Sequence, residues 1–188
     1  FIMKHAFWGP SYNEDIILES IKSKNLKFTK FDDTDQLTNY AAKIIANGNV
    51  VGWYQGRSEW GSRALGNRSI LANPANKNMK DIINAKIKKR ESFRPFAPAI
   101  LEKDYKNYFE LEVASPYMLF VVKIKEIFHS NRKTLSDKLN LNQKIKLKLS
   151  KFPAITHFDF SSRVQTVNKK NNFRFYNLIS AFKKRTGC

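Results

Sequence analysis

The chain has 188 residues and a formal net charge of +18, with 34 lysines and arginines against 16 aspartates and glutamates. Its length predicts one domain, or one domain with an appendage, and its 42% of hydrophobic residues excludes wholesale disorder because they suffice for a buried core. The single cysteine, Cys188, excludes an intramolecular disulfide framework and a zinc ribbon. We expect a protein of the reducing cytoplasm without a membrane-spanning segment.

The first half of the chain mixes amphipathic helices with short apolar strands. Ser11 and Glu14 form a predicted capping box at the start of a helix. A second helix is indicated by an apolar stripe at helical spacing, made of Leu37, Tyr40, Ala41, Ile44 and Ile45. The runs 50–55 and 69–72 have strand character, and residues 78–89 predict a third helix.

The second half continues the mixture. Four runs have strand character, namely 99–101, 118–124, 154–157 and 162–167. A short helix is predicted for 103–109, and a final helix is indicated by the inward stripe Phe175, Leu178, Ile179 and Phe182. Since strands and helices do not alternate strictly as βαβ units, we predict an α/β fold of the α+β type, with a twisted mixed β-sheet and packed helices.

The basic charge is spread along the chain, which is typical of compositional bias as much as of a binding face. The exception is a Lys-rich insertion at about 125–151, which includes Lys144, Lys146, Lys148 and Lys151. Two interpretations stay open for it: a solvated insertion with a short helix, or a contact with nucleic acid or another anionic surface.

Residues 56–69 form a loop rich in glycine and arginine. Arg57, Arg63 and Arg68 lie close together in it, and the fixed, planar guanidinium group suits bidentate capture of phosphate or carboxylate. The loop has neither the Gly-Lys-Ser/Thr ending of a Walker loop nor a dinucleotide fingerprint. Anion binding and a structural loop whose arginines pair with local carboxylates such as Glu59 both remain possible interpretations.

Two further segments carry charged or polar side chains that could face a ligand. Lys88, Arg90 and Arg94 flank a proline-stiffened turn, although cations at a helix C-terminus are also favoured by the helix dipole. Arg163 and Gln165 alternate with apolar residues, so one face of a strand is polar. Such a face suits the wall of a ligand site, and an exposed sheet face has the same pattern.

These segments together resemble the C-terminal domain of the nodulation and antibiotic O-carbamoyltransferases of the NodU/CmcH type. The matching strings are 51–61, 63–71, 93–98, 153–157 and 163–167. The resemblance covers most of the chain outside the basic insertion. One departure is Phe160, which stands where the family has glycine and would be bulky if that backbone position needs a positive φ.

The resemblance implies a YrdC-like fold for residues 1–188, as part of a longer protein. An actin-like N-terminal domain with an iron-type metal and a last C-terminal strand are expected to lie outside the given sequence. This domain is expected to bind ATP with Mg²⁺, and carbamoyl phosphate, and to form a carbamoyl adenylate. The carbamoyl group would then pass to a hydroxyl of a small-molecule or sugar substrate.

The family's motifs also suggest which side chains bind these ligands. Holding ATP beside carbamoyl phosphate needs several fixed cations. The first candidates are Arg63, Lys88, Arg94 and Arg163. The second candidates, which could pair with Glu59 or Glu91, are Arg57, Arg68 and Arg90. Ser162 and Gln165 are candidates for hydrogen bonds to the nucleotide.

No catalytic residue is assigned, and no metal site is expected in this part of the protein, because His5, His129 and His157 lack the spacing of metal ligands. Two other functions stay open. The first is an RNA- or polyanion-binding YrdC-like module, although a nucleic-acid partner is not favoured. The second is a degenerate, noncatalytic domain.

Overall fold

The computed structural model describes residues 3–130, 139–140, 143–144 and 147–188. The helices are α1 (Glu14–Ser23), α2 (Thr34–Ala46), α3 (Met79–Ile83), α4 (Tyr105–Tyr108) and α5 (Phe173–Thr186). The strands are β1 (Val51–Tyr54), β2 (Arg68–Leu71), β3 (Ala99–Leu101), β4 (Val121–Lys123), β5 (Ser161–Arg163) and β6 (Gln165–Val167). Within these described ranges, every helix is too short or too polar to cross a bilayer.

The helix starts are set by side-chain caps. Asn13, and not the predicted Ser11, caps α1, because its Oδ1 accepts a hydrogen bond from the backbone N–H of Ile16 at 2.9 Å. Asp33 caps α2 by accepting from the backbone N–H groups of Asp35 and Gln36. The predicted third helix begins as α3 and continues as a π-helical turn, Asn84–Lys88.

The strands form three two-stranded pairs. β1 pairs with β2 and β4 with β5, both antiparallel, whereas β3 and β6 are parallel. The expected α+β fold is thus confirmed, although the described strands do not make one continuous sheet. Residues of β2 and β3 line the same apolar cavity of about 240 Å³.

Two strand predictions were wrong in extent. Of the run 118–124, only β4 is a strand, and its ends are exposed rather than buried. The run 154–157 forms turns, because Ile155 and Phe160 close local hydrogen bonds to Phe152 and His157. These runs are apolar because they pack on neighbouring elements, which periodicity does not distinguish from strand pairing.

The core consists of two main clusters on either side of the β3–β6 pair. The first joins α2, β1 and α5, with Ala42, Ile45, Trp53, Phe175 and Leu178 as buried members. The second joins α4, the chain around Phe152 and the start of β6, with Tyr105, Phe109, Ile124, Phe152 and Val164 as buried members. Burial of apolar area on this scale contributes most of the favourable free energy of folding.

The basic insertion at about 125–151 lies partly outside the described residues, which leave out 131–138, 141–142 and 145–146. The two ends of the insertion are paired: Ser130 donates to the carbonyl of Leu149, and Lys151 donates to that of Phe128. Phe128 also stacks on Tyr108 of the second core cluster, with ring centroids 4.9 Å apart. The base of the insertion is therefore part of the core.

Candidate anion-binding site

Gln165 joins the three segments that the sequence singled out. Its backbone N–H donates to the carbonyl of Pro98 at 2.9 Å, and its side-chain Nε2 donates to the carbonyl of Leu65 at 2.8 Å. Arg163 lies two residues before Gln165, and Arg63 two residues before Leu65. The arginine loop, the proline-stiffened segment and the polar strand therefore meet at the N-terminal ends of β3 and β6.

The arginine loop is folded around Glu59. One carboxylate oxygen of Glu59 accepts hydrogen bonds from the backbone N–H groups of Leu65, Asn67 and Arg68 at 2.7, 2.8 and 3.2 Å. We expected Glu59 to be a partner for an arginine, and the structure shows it bound to backbone amides instead. The Glu59 carboxylate therefore stabilises the backbone of the loop and is not the partner of an arginine side chain.

A buried amide network anchors the same loop to the core. Gln55 accepts from the indole N–H of Trp53 at 2.8 Å and donates to the side-chain oxygens of Asn67 and Asn172 at 2.9 and 2.7 Å. Asn172 is also the N-cap of α5. The sequence did not predict this network. The signal that could have indicated it is the polar residue Gln55 at the end of an apolar strand.

Two of the predicted arginines hold the protein's own backbone. Arg68 donates to the carbonyls of Gln55, Gly56 and Asn67 at 2.7 to 3.0 Å, and its guanidinium lies 3.6 Å from the centre of the Tyr54 ring. The exposed Arg57 donates to the carbonyl of Trp8 at 3.2 Å. Arg68 is therefore a structural element of the loop in this arrangement.

The segment after the π-helical turn holds two more of the predicted cations by internal contacts. Arg90 donates from Nε to Oδ1 of Asn84 at 2.7 Å and lies over the ring of Phe96. Arg94 forms an ion pair with Glu91 at 3.0 Å, in which both side chains are about half exposed. Since an exposed pair of this kind is weak, the Arg94 guanidinium can exchange Glu91 for another anion.

Three of the predicted cations have no hydrogen bond or ion pair within the described ranges of the chain: Arg63, Lys88 and Arg163. Arg63 and Lys88 are exposed, and Arg163 is half-buried on β5. Arg63 lies in the loop to which Gln165 is hydrogen-bonded, and Arg163 lies two residues before Gln165. These three cations are available to an anionic ligand, and Arg94 joins them when it exchanges Glu91.

The predicted polar ligands of a nucleotide are both bound to backbone. Ser162 is fully buried and its hydroxyl donates to the carbonyl of Ile155 at 2.8 Å. The Gln165 amide is also buried, so both side chains stabilise the backbone of the site from its interior. Phe160 has a φ of +62°, the left-handed conformation that favours glycine, and its ring stacks on His129 with centroids 4.1 Å apart.

Lys80 and His157 are basic residues that the sequence analysis did not place in the site. Partial burial lowers the pKa of Lys80, and the Asp81 carboxylate opposes this effect. Desolvation also lowers the pKa of His157, and the positive charges of Arg163 and Lys80 add to the lowering while Asp159 opposes it. Of the two, His157 therefore lies in the electrostatic field of Arg163.

No group of three or more His, Cys, Asp or Glu side chains in the described part of the chain is arranged to hold a metal ion.

Residues 42–188 match the family described as Carbamoyltransferase C-terminus. The nodulation protein NolO of Bradyrhizobium diazoefficiens is 42% identical over 184 residues, which are 96% of this chain and 30% of that protein. The 3'-hydroxymethylcephem-O-carbamoyltransferase of Amycolatopsis lactamdurans is 37% identical over 143 residues, 76% of this chain and 23% of that enzyme. An uncharacterised Synechocystis protein, sll1178, is 42% identical over 99% of this chain and 30% of its own length. The chain thus spans less than a third of these relatives.

Proposed function

Because the chain belongs to the carbamoyltransferase C-terminus family, we propose that it binds ATP and carbamoyl phosphate and joins them into a carbamoyl adenylate. The carbamoyl group then passes to a hydroxyl of a small-molecule or sugar substrate. One relative is named for O-carbamoylation of a hydroxymethyl cephem, which is a transfer of this type. The acceptor would be bound by another part of the protein, which is the expected partner of this domain.

The observation that best supports this proposal is the junction at Gln165. Its two hydrogen bonds hold Leu65 of the arginine loop and Pro98 of the proline-stiffened segment against one strand end. Arg63 and Arg163 flank that junction and have no hydrogen-bond or ion-pair partner among the described residues. Two substrates that each carry phosphate need several fixed cations in one place, and this arrangement offers them without further ordering of the backbone.

The proposed reaction consumes one water. Carbamoyl phosphate and water give carbamate and orthophosphate, as the bond between the carbamoyl oxygen and phosphate is broken. A carbamate oxygen then attacks the α-phosphorus of ATP, and pyrophosphate leaves with the bonding electrons. The guanidinium groups of Arg63, Arg94 and Arg163 would bind the phosphate oxygens and stabilise the charge that develops on them.

Mg²⁺ would enter with ATP and neutralise part of its phosphate charge, which would lower the repulsion between the two substrates. Of the described residues, the free cations Arg63, Lys88 and Arg163 fit a polyphosphate of this charge. We place the reaction in the reducing cytoplasm, where ATP is supplied and Cys188 stays a thiol.

The test is a calorimetric titration of the protein with ATP and Mg²⁺ at physiological salt, in the presence and absence of carbamoyl phosphate. We expect saturable binding at one site. Arg94→Ala should weaken it by about 1.5–3 kcal/mol, roughly 10- to 150-fold, if the guanidinium makes a charge-assisted bond to phosphate. Arg185→Ala is the control, since Arg185 is an exposed arginine near the end of α5.

The same titration with a short double-stranded RNA separates this function from polyanion binding. RNA affinity that falls steeply with salt and ignores Arg94, together with no saturable ATP binding, would contradict the proposal. Pyrophosphate release that requires both ATP and carbamoyl phosphate would support the adenylate.

A further inference from the structure

An apolar cavity of about 240 Å³ is lined by residues of both β2 and β3. Ile70 and Leu71 of β2 contribute to it, as do Ala99, Ile100 and Leu101 of β3. Protein interiors hold few voids larger than one water molecule, whose share of the liquid volume is about 30 Å³. A cavity of this size can hold several side chains of another segment, and the backbone groups of the two strands indicate the chemistry of that segment.

One edge of β3 is paired with β6, its only partner among the described strands. The backbone N–H of Gln165 donates to the carbonyl of Pro98, which fixes which residues of β3 face β6. Since alternate residues of a parallel strand face the same partner, Ile100 also bonds to β6, whereas the N–H groups of Ala99 and Leu101 point away from it. Leu101 is only 1% exposed, so its N–H has little access to bulk water. A buried backbone donor of this kind needs a partner.

The β2 strand also has one paired edge and one open edge. The backbone N–H of Gln55 donates to the carbonyl of Asn67 at 3.0 Å, so these two residues form a hydrogen-bonded pair at the end of the antiparallel ladder. Because such pairs alternate with pairs that are not hydrogen-bonded, Ser69 bonds to Trp53, whereas the N–H and C=O groups of Ile70 face away from β1. Two open strand edges therefore contribute to the lining of one cavity.

The rest of the lining is mostly apolar. Both main core clusters contribute side chains to it, namely Phe175, Leu178, Phe109, Phe152 and Ile155. The charged side chains in the lining, Asp104 and Lys183, are paired with each other at 2.7 Å. A small apolar molecule would leave the backbone groups of both strand edges unpaired. An extended segment pairs them, and a strand that is buried on both faces is a nearly continuous apolar run without internal proline.

The end of α5 leads to the same cavity. Gly187 caps the helix in the left-handed conformation, with a φ of +80°, and its carbonyl accepts a hydrogen bond from the Tyr108 hydroxyl at 3.3 Å. Cys188 then lies in the lining of the cavity, together with Tyr108. A residue joined to the carbonyl of Cys188 would therefore start at the cavity wall and would need no linker to enter it.

We propose that the residues following Cys188 in the whole protein form a β-strand in this cavity, hydrogen-bonded to β2 along one edge and to β3 along the other. The strand joins the β1–β2 pair to the β3–β6 pair in one mixed sheet, because the first pair is antiparallel and the second is parallel. The inference goes beyond the proposed function and does not rest on the adenylate reaction.

The first experiment is hydrogen exchange of the whole protein, resolved to single amides by NMR. We expect the amides of Ile70, Ala99 and Leu101 to exchange at least about 100-fold more slowly than in an unfolded chain. The amides of Ser69 and Ile100 are the internal control, since they bond to β1 and β6 and report that both pairs are folded. Fast exchange at Ile70, Ala99 and Leu101 beside slow exchange at the two control amides would overturn the proposal.

Photo-crosslinking of the whole protein identifies the segment that fills the cavity. Met79 lines the cavity and is 1% exposed. Photo-methionine has nearly the same shape as methionine, so it can replace Met79 with little disturbance of the packing. We expect cross-links from residue 79 to the residues that follow Cys188. Met118 does not line the cavity and is the matched control, which should give no cross-link to that segment.

Several results would contradict the assigned strand. They are cross-links from residue 79 to the basic insertion at 125–151, to a second copy of the chain, or only to packed neighbours such as Ala154, and a whole protein that ends at Cys188. Each outcome is independent of the test of the proposed function. ATP binding without the cross-link leaves that function standing and the strand wrong, whereas protected edges and the cross-link without ATP affinity leave the strand standing.

Discussion

Gln55 and Asn172 lie 117 residues apart in the chain and meet in the core, where Nε2 of Gln55 donates to Oδ1 of Asn172 across 2.7 Å. This contact links the end of β1 to the N-cap of α5 and includes Asn67 of the arginine loop. All three amides are buried. The loop's position is therefore fixed by a closed network rather than by its own backbone.

Removing the centre of this network should be costly. Gln55→Ala leaves the indole N–H of Trp53 without its acceptor and removes one hydrogen bond from each of the buried side chains of Asn67 and Asn172, so we expect the free energy of unfolding to fall by about 2–4 kcal/mol. Chemical denaturation measures the loss. Gln36→Ala is the control, because that side chain is exposed on α2. A similar loss of stability in Gln36→Ala would show that the buried network does not account for the loss in Gln55→Ala.

Two glycines of the arginine loop provide a matched pair. Gly61 and Gly66 both have positive φ, at +111° and +104°. A Cβ at Gly61 would meet open space, whereas one at Gly66 would run into the ring of the buried Phe175. Gly61→Ala should therefore cost about 1 kcal/mol through backbone strain, and Gly66→Ala about 3 kcal/mol or more.

Thermal unfolding of both glycine variants gives this comparison directly. Equal losses would mean that the loop moves away from Phe175 when a methyl group is added. In that case the close packing of the loop on α5 would contribute little to its position.

Arg68 should not tolerate lysine. The guanidinium reaches three nearby carbonyls at once and stacks on Tyr54, which a single ammonium group cannot reproduce. We expect Arg68→Lys to lower the free energy of unfolding by about 1.5–3 kcal/mol. Arg174→Lys, at an exposed position of α5, should be neutral in the same denaturation experiment.

The ion pair between Lys183 and Asp104 should contribute to stability more than the exposed pairs. It spans 2.7 Å, and the Asp104 side chain is only 11% exposed. The hydrogen bond to Asp104 raises the pKa of Lys183. Lys183→Met leaves the buried Asp104 carboxylate without its ion-pair partner, so we expect the free energy of unfolding to fall by about 3 kcal/mol at pH 7. Lys184→Met, one residue on and exposed, should cost far less.

Asp159 should make the free energy of unfolding depend on pH in the acid range. Its hydrogen bond from the Ser161 hydroxyl, with further bonds from Lys123 and the Ser161 backbone, lowers its pKa to about 2. The stabilisation is therefore complete above the ordinary pKa of 3.8 and is lost as the pH falls from there to about 2. The group is largely exposed, so the effect should stay below about 1 kcal/mol.

The variant Asp159→Asn isolates this contribution. Its free energy of unfolding should change less than that of the unaltered protein between pH 4 and pH 2. Urea denaturation at a series of pH values gives both curves. Parallel curves through this interval would show that Asp159 does not carry the dependence.

Elements with strong periodicity and segments with unusual composition can be predicted from the residues alone. The stripe of α2 and that of α5 follow from helical spacing, and the arginine loop stands out because glycine and arginine are rarely combined so densely. The capping box of Ser11 and Glu14 is a wrong prediction for the start of α1, because Asn13 is an equally good cap residue and only the path of the chain decides between the two.

The tertiary structure decided which cations are free. Arg68 and Arg63 look alike in the sequence, yet Arg68 is bound by backbone carbonyls, whereas Arg63 has no hydrogen-bond or ion-pair partner in the part of the chain that the structure describes. The network of Gln55, Asn67 and Asn172 also appears only in three dimensions. A hydrogen bond depends on distance and direction between groups that may be far apart in the chain, whereas periodicity and composition record only local preference.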